Sequence, residues 1–193
     1  MRTAERPKRP KNPPARPYKG QSLLLAAEDY TAVDIETTGL SPRYSAIIEL
    51  GALKVRGGRS VDQVSLLVNP GFDIPAGITA LTGITDDMLW TAPPLMDVLP
   101  YFLDFVGGDV ILGHNVHFDV NFLYDKALSI GLAPVSNDFV DTMRLSRKLY
   151  PQYGHHRLAD LAERFGVTPE TAHRALADCY TAAAFYEYMK PLL

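Results

Sequence analysis

From residue 30 to residue 70 the chain leaves no room for a helix. Three runs rich in β-branched and aromatic residues follow one another there, at 30–33, 47–55 and 61–68. A Gly39-Leu40-Ser41-Pro42 turn and a Gly57-Gly58 pair separate them, and Asn69-Pro70-Gly71 ends the third. Connections that short join only antiparallel neighbours, so the run is a meander. The pattern then changes. Val110-Ile111-Leu112-Gly113 is short and wholly apolar, as a strand at a sheet centre must be. A helix over 118–130 follows, stopped by Gly131, and 139–142 reads as the last strand. A meander leading into strand–helix units predicts an α/β architecture: one mixed sheet of five strands with helices on both faces.

The remaining helices are marked by their ends. Thr85 is an N-cap with Asp86 and Asp87 in its first turn, and Pro93-Pro94 opens a helix that Gly107-Gly108 closes. Residues 143–149 form a helix stopped by Pro151, 158–165 form one capped by Gly166, and an Ala- and aromatic-rich helix runs over 174–189. In that last helix, Tyr180, Phe185, Tyr186 and Tyr188 are expected in the core, with Cys179 as a small buried filler.

Charge divides the chain in two. Residues 1–20 carry seven Lys or Arg and one Glu, whereas the remainder carries 12 basic and 21 acidic residues. The first 20 residues are also proline-rich and almost without apolar side chains, so they are expected to be a disordered basic tail, with the folded domain over 21–193. Such a tail suits a phosphate backbone or serves as a solubilising leader. Gln21-Ser22-Leu23-Leu24-Leu25 has a faint likeness to sliding-clamp-binding peptides but lacks their terminal aromatic, and is read as an apolar lead-in beside the first strand. No apolar run is long enough to span a membrane, and the single cysteine fits a reducing, cytoplasmic setting.

The chemistry gathers at three acidic segments. Asp34 and Glu36 stand two residues apart at a strand end, which puts both carboxylates on one face. Two adjacent anions need a cation, and hard carboxylate oxygens suit Mg²⁺ or Mn²⁺. The second segment, His114-Asn115-Val116-His117-Phe118-Asp119, begins where the central strand ends and sets Asp119 at a helix start. The third, His173-Arg174-Ala175-Leu176-Ala177-Asp178, opens the last helix. Strand ends and the helices behind them are where open α/β sheets collect their sites. The His155-His156 pair has no third spaced ligand and reads as a loop before a helix. His114 is expected to be structural and His117 solvent-facing.

Taken together, the three segments closely resemble the three motifs of the DnaQ-like 3′→5′ exonucleases, including the exonuclease domains of DNA polymerase III epsilon subunits. Leu81-Thr82-Gly83-Ile84-Thr85 adds to the likeness, which runs from about residue 29 to 185. The resemblance implies the ribonuclease H-like fold and four acidic ligands: Asp34, Glu36, Asp119 and Asp178. His173, five positions before Asp178, marks the DEDDh branch; the Tyr that the DEDDy branch needs is absent, because position 174 is Arg. It further implies two divalent ions, with Asp34 bridging, Glu36 and Asp178 completing one site, Asp119 serving the other, and His173 as general base. Two metals can activate a water and stabilise the leaving oxygen of an in-line phosphodiester attack, and an imidazole exchanges protons near neutrality. His173 is out of phase with Asp178 on a helix face, so it must sit on the loop before the helix. Thr37, Thr38, Gly39, Leu40, Asn115 and Phe118 are then the substrate-binding set. The expected reaction is release of nucleoside 5′-monophosphates from 3′ ends of single-stranded DNA, in proofreading or repair, with a polymerase or sliding clamp as partner. RNA trimming by the same chemistry and a catalytically silent nucleic-acid-binding module are the alternatives.

Overall fold

The computed structural model describes residues 15–167 and 173–193. Six strands form one sheet: β1 (Ser22–Leu23), β2 (Tyr30–Thr37), β3 (Ile47–Arg56), β4 (Arg59–Leu67), β5 (Ile111–Gly113) and β6 (Phe139–Asp141), in the order β1-β6-β5-β2-β3-β4. The meander β2-β3-β4 is antiparallel as expected, and β2, β5, β6 and β1 run parallel to one another. The extra strand is β1. The apolar lead-in does not lie beside the first long strand; Ser22 and Leu23 pair with Phe139 and Val140 at the far sheet edge. This pairing occupies the segment that resembled a clamp-binding peptide.

Seven α-helices pack on the sheet: α1 (Ala76–Thr82), α2 (Asp86–Trp90), α3 (Leu95–Val106), α4 (His117–Ser129), α5 (Thr142–Leu149), α6 (Leu158–Phe165) and α7 (Ala175–Met189). The period-2 alternation of β2 divides the core. Val33 and Ile35 face α3 and α4, through Val98, Phe102, Val120 and Leu123. Tyr30 and Ala32 face α5, α6 and α7, through Leu145, Leu161, Phe185 and Tyr186. Asp34 and Glu36 share the parity of Tyr30 and Ala32, and so lie on the α7 side. Helices on both faces complete the predicted α/β layering, and they explain why β3 is buried along most of its length.

Two glycines let the layers meet. A Cβ on Gly51 of β3 would lie 2.5 Å from the Ala175 carbonyl carbon, so α7 begins flush against the sheet. A Cβ on Gly113 would lie 2.7 Å from the Val33 carbonyl oxygen, where the chain turns from β5 into α4 against β2.

Two expectations in α7 need correcting. Tyr180 and Tyr188 are 44% and 55% exposed rather than core, while Phe185 and Tyr186 are fully buried. Of the tail expected over 1–20, residues 1–14 lie outside the described residues. Residues 15–20 lie along the body: Arg16 forms a two-bond ion pair with Asp125 of α4 at 2.6 and 2.8 Å. Lys19 reaches Asn121 at 2.7 Å. Among the described residues, no helix is long and apolar enough to cross a membrane.

Candidate active site

The site lies where β5 stops short. β5 pairs with β2 only at Thr31 and Ala32, so the C-terminal half of β2 has no strand partner on that side. A crevice at the carboxyl ends of parallel strands results. The freed backbone N–H of Ile35 donates to the Asp119 carboxylate at 3.1 Å, which draws α4 to β2. Asp119 is thus placed by the strand whose own acids it joins.

From the other side comes α7. Its N-cap is Arg174, and His173 precedes it in a left-handed backbone conformation, φ 61°. His173 therefore sits ahead of the helix, as the spacing required. Asp178 lies in the first turn of α7. Ligand atoms of Glu36, His173 and Asp178 all lie within 4.8 Å of one another.

The electrostatics record how close the four acids are. Burial holds the Asp34 carboxyl well above the ordinary carboxylate range, with Asp119, Asp178 and Glu36 adding repulsion. Asp119 is also raised well above that range by burial, against backbone hydrogen bonds that favour its anion. Glu36 is pushed up to about 7 by burial, then by Asp178 and Glu49, with Arg174 opposing. Asp178 is pushed up to about 6 by burial, with His173 opposing. Without a cation such a cluster retains protons. Its donor set of carboxylate oxygens with one imidazole suits hard divalent ions. The residues that meet within 4.8 Å, Glu36, His173 and Asp178, therefore fit a divalent metal ion.

The remaining predicted residues lie on the β2–β3 turn and around the start of α4. The Thr37 hydroxyl donates to the Gly39 carbonyl at 2.7 Å, and the Thr38 hydroxyl accepts from Ala46 N–H at 2.9 Å. Both side chains are spent on shaping the β2–β3 turn. Leu40, 74% exposed, projects from that turn. Asn115 is exposed with φ 59°, its N–H held by Asp141 at 2.9 Å. Phe118 is half-buried and packs on Phe122 at a centroid distance of 4.7 Å. His114 bonds Thr142 at 2.9 Å and the His156 carbonyl at 2.8 Å, a structural role. Exposed His117 meets Lys19 at 2.7 Å.

Three supporting residues escaped the sequence reading. Asp141 caps α5 while holding the Asn115 loop; an Asp just before a helix was the available signal. Glu49 and Arg174 form an ion pair at 2.7 Å beneath the site, with Glu49 only 1% exposed. A lone Glu inside the apolar run Ile47-Ile48-Glu49-Leu50 was the signal there, since an acid is almost never buried unless paired.

This geometry has counterparts. The profile of an exonuclease family, RNase_T, matches residues 31–186. The DNA polymerase III PolC-type of Bacillus subtilis is 42% identical over 178 residues, which cover 91% of this chain and 12% of the polymerase. That of Listeria innocua is 38% identical over 166 residues, again 12% of the polymerase. The chain thus spans about an eighth of the length of these curated relatives. Among solved structures, exonuclease X in complex with 5′ overhanging duplex DNA superposes with a TM-score of 0.67 at 28% identity, covering 84% of this chain and 92% of that one. A zinc-bound complex of E. coli exonuclease I with single-stranded DNA gives 0.75 at 19% identity, covering 89% and 41%, a likeness of fold. With a profile match across most of its length, the chain belongs to the RNase_T exonuclease family, among the DnaQ-like 3′→5′ exonucleases.

Proposed function

We propose that this chain trims single-stranded DNA from its 3′ end, releasing nucleoside 5′-monophosphates, as the proofreading exonuclease of a DNA polymerase. The observation that carries the reading is the meeting of Glu36, His173 and Asp178 within 4.8 Å, beside the mutually repelling Asp34 and Asp119. Asp34, Glu36, Asp119 and Asp178 would hold two divalent cations, Mg²⁺ or Mn²⁺. When bound, these supply charge neutralisation and water of lowered pKa. His173 accepts the proton of the attacking water; its exposed position ahead of α7 leaves the ring open to solvent and substrate. The 3′-terminal nucleotide lies along the β2–β3 turn. Thr37, Thr38 and Gly39 offer backbone there, Leu40 an apolar edge, and Asn115 and Phe118 the opposite rim. The polymerase partner follows from the names of the relatives, DNA polymerase III PolC-type, and a cytoplasmic setting goes with it.

A 5′-end-labelled single-stranded oligonucleotide tests this. Stepwise shortening with Mg²⁺ or Mn²⁺, release of 5′-monophosphates, and silence in chelator or in Asp34→Ala are expected. Internal fragments would refute the exonuclease direction. Faster trimming of a matched RNA would replace DNA as the substrate, and binding without release would leave a nucleic-acid-binding module.

A further inference from the structure

Glu49 presents a problem that the metal ligands do not solve. It stands directly across from Glu36 in the β2–β3 register. Like charges facing each other across a sheet repel, and this one is 1% exposed. Arg174 answers it. Its Nε donates to both Glu49 oxygens at 3.1 Å and its terminal nitrogen to one at 2.7 Å. The first backbone N–H of α7, that of Ala175, adds a fourth bond at 3.1 Å. Glu49 therefore does for α7 what an N-cap side chain usually does, from a neighbouring strand, and Arg174 itself makes no side-chain cap. Gly51, one step along the same face of β3, lets the helix start close enough for these bonds.

The residue on the other side of this clamp is His173. It is exposed and holds a backbone conformation that non-glycine residues seldom adopt. A left-handed residue persists only where its surroundings fix it. The clamp is the fixed point adjacent to it in the chain.

We propose that the Glu49–Arg174 pair is a positioning device for His173, fixing the entry of α7 so that the imidazole is held over Glu36 and Asp178. This rests on the reading of His173 as the general base. In this role the pair acts through the histidine, in addition to the opposing charges it places beside Glu36. Arginine is required for its planar fork, because a lysine would supply the charge at a single point without fixing the backbone that carries it.

The test is a double-mutant cycle under single-turnover conditions with saturating Mn²⁺ and a single-stranded DNA oligonucleotide. Arg174→Gln should lower the maximal single-turnover rate on the order of 100-fold, a cost that displacing a reacting group by about 1 Å can exact, with the half-saturating concentration unchanged. Arg174→Lys should recover only part of the loss. In a His173→Ala background, Arg174→Gln should cost nothing further, to within about twofold. Removing Arg174 alone leaves a buried carboxylate without a counter-charge, so the cycle is repeated with Glu49→Gln/Arg174→Gln, which has no such charge and should give the same non-additivity. If His173→Ala is impaired but the Arg174 penalty multiplies with it, the positioning role is wrong and the general base stands. If His173→Ala retains the full rate, the general base and the clamp fall together.

Discussion

Glu36 and Asp178 make the cost of the site measurable at the level of single groups. The Glu36 carboxyl sits at about 7 in the folded chain against an ordinary 4.5, and Asp178 at about 6 against 3.8. A carboxyl raised on folding binds its proton better in the native state. Its stabilising contribution is therefore complete below the ordinary value and is lost as pH rises through the raised one. The metal-free protein should lose Tm as pH rises from about 4 to about 7. Divalent ions need the deprotonated carboxylates, so their stabilisation runs the other way. Differential scanning fluorimetry should show a larger Mn²⁺-induced rise in Tm at pH 8 than at pH 5.5. A rise that is equal or larger at the lower pH would mean that these acids are not the ligands. Asp34, Glu36, Asp119, His173 and Asp178 were singled out because their three segments, in order, resemble the DnaQ-like motifs, and of these Glu36, His173 and Asp178 meet within 4.8 Å. Glu49 and Arg174 were not, because a contact between β3 and the start of α7 spans most of the chain and leaves no local periodicity.

At the level of elements, the sequence carried most of the sheet. The alternation in β2, the wholly apolar β5 and the Gly stops all correspond to observed boundaries. β1 did not declare itself, because two residues show no period and its partner β6 is remote in sequence. The exposed tyrosines of α7 were misread for a related reason. The helix is apolar around much of its circumference, so spacing alone does not say which aromatic faces out; Tyr180 and Tyr188 do. The join between β3 and α7 is a demanding contact. Gly51→Ala would push a methyl to 2.5 Å from backbone that cannot move independently of α7. The expected cost is about 1–3 kcal/mol, read by chemical denaturation, together with a loss of nuclease rate larger than any other surface-neutral Gly→Ala change produces. Unchanged stability and rate would show that α7 is not seated by this approach.

Across the whole molecule, one strand end and two helix starts carry the four acids, each on an element that folds for its own packing reasons. Arg174, the arginine beside Glu36, is committed to Glu49 at 2.7 Å. The crevice is left to cations from solution. Counting those cations is the direct measurement. Electron paramagnetic resonance of free Mn²⁺, titrated with the protein and a nucleoside 5′-monophosphate, should show about two ions bound per chain, with both weakened by Asp34→Ala. Full-rate shortening of a single-stranded oligonucleotide in chelator, with no Mn²⁺ bound by the wild type, would contradict the account.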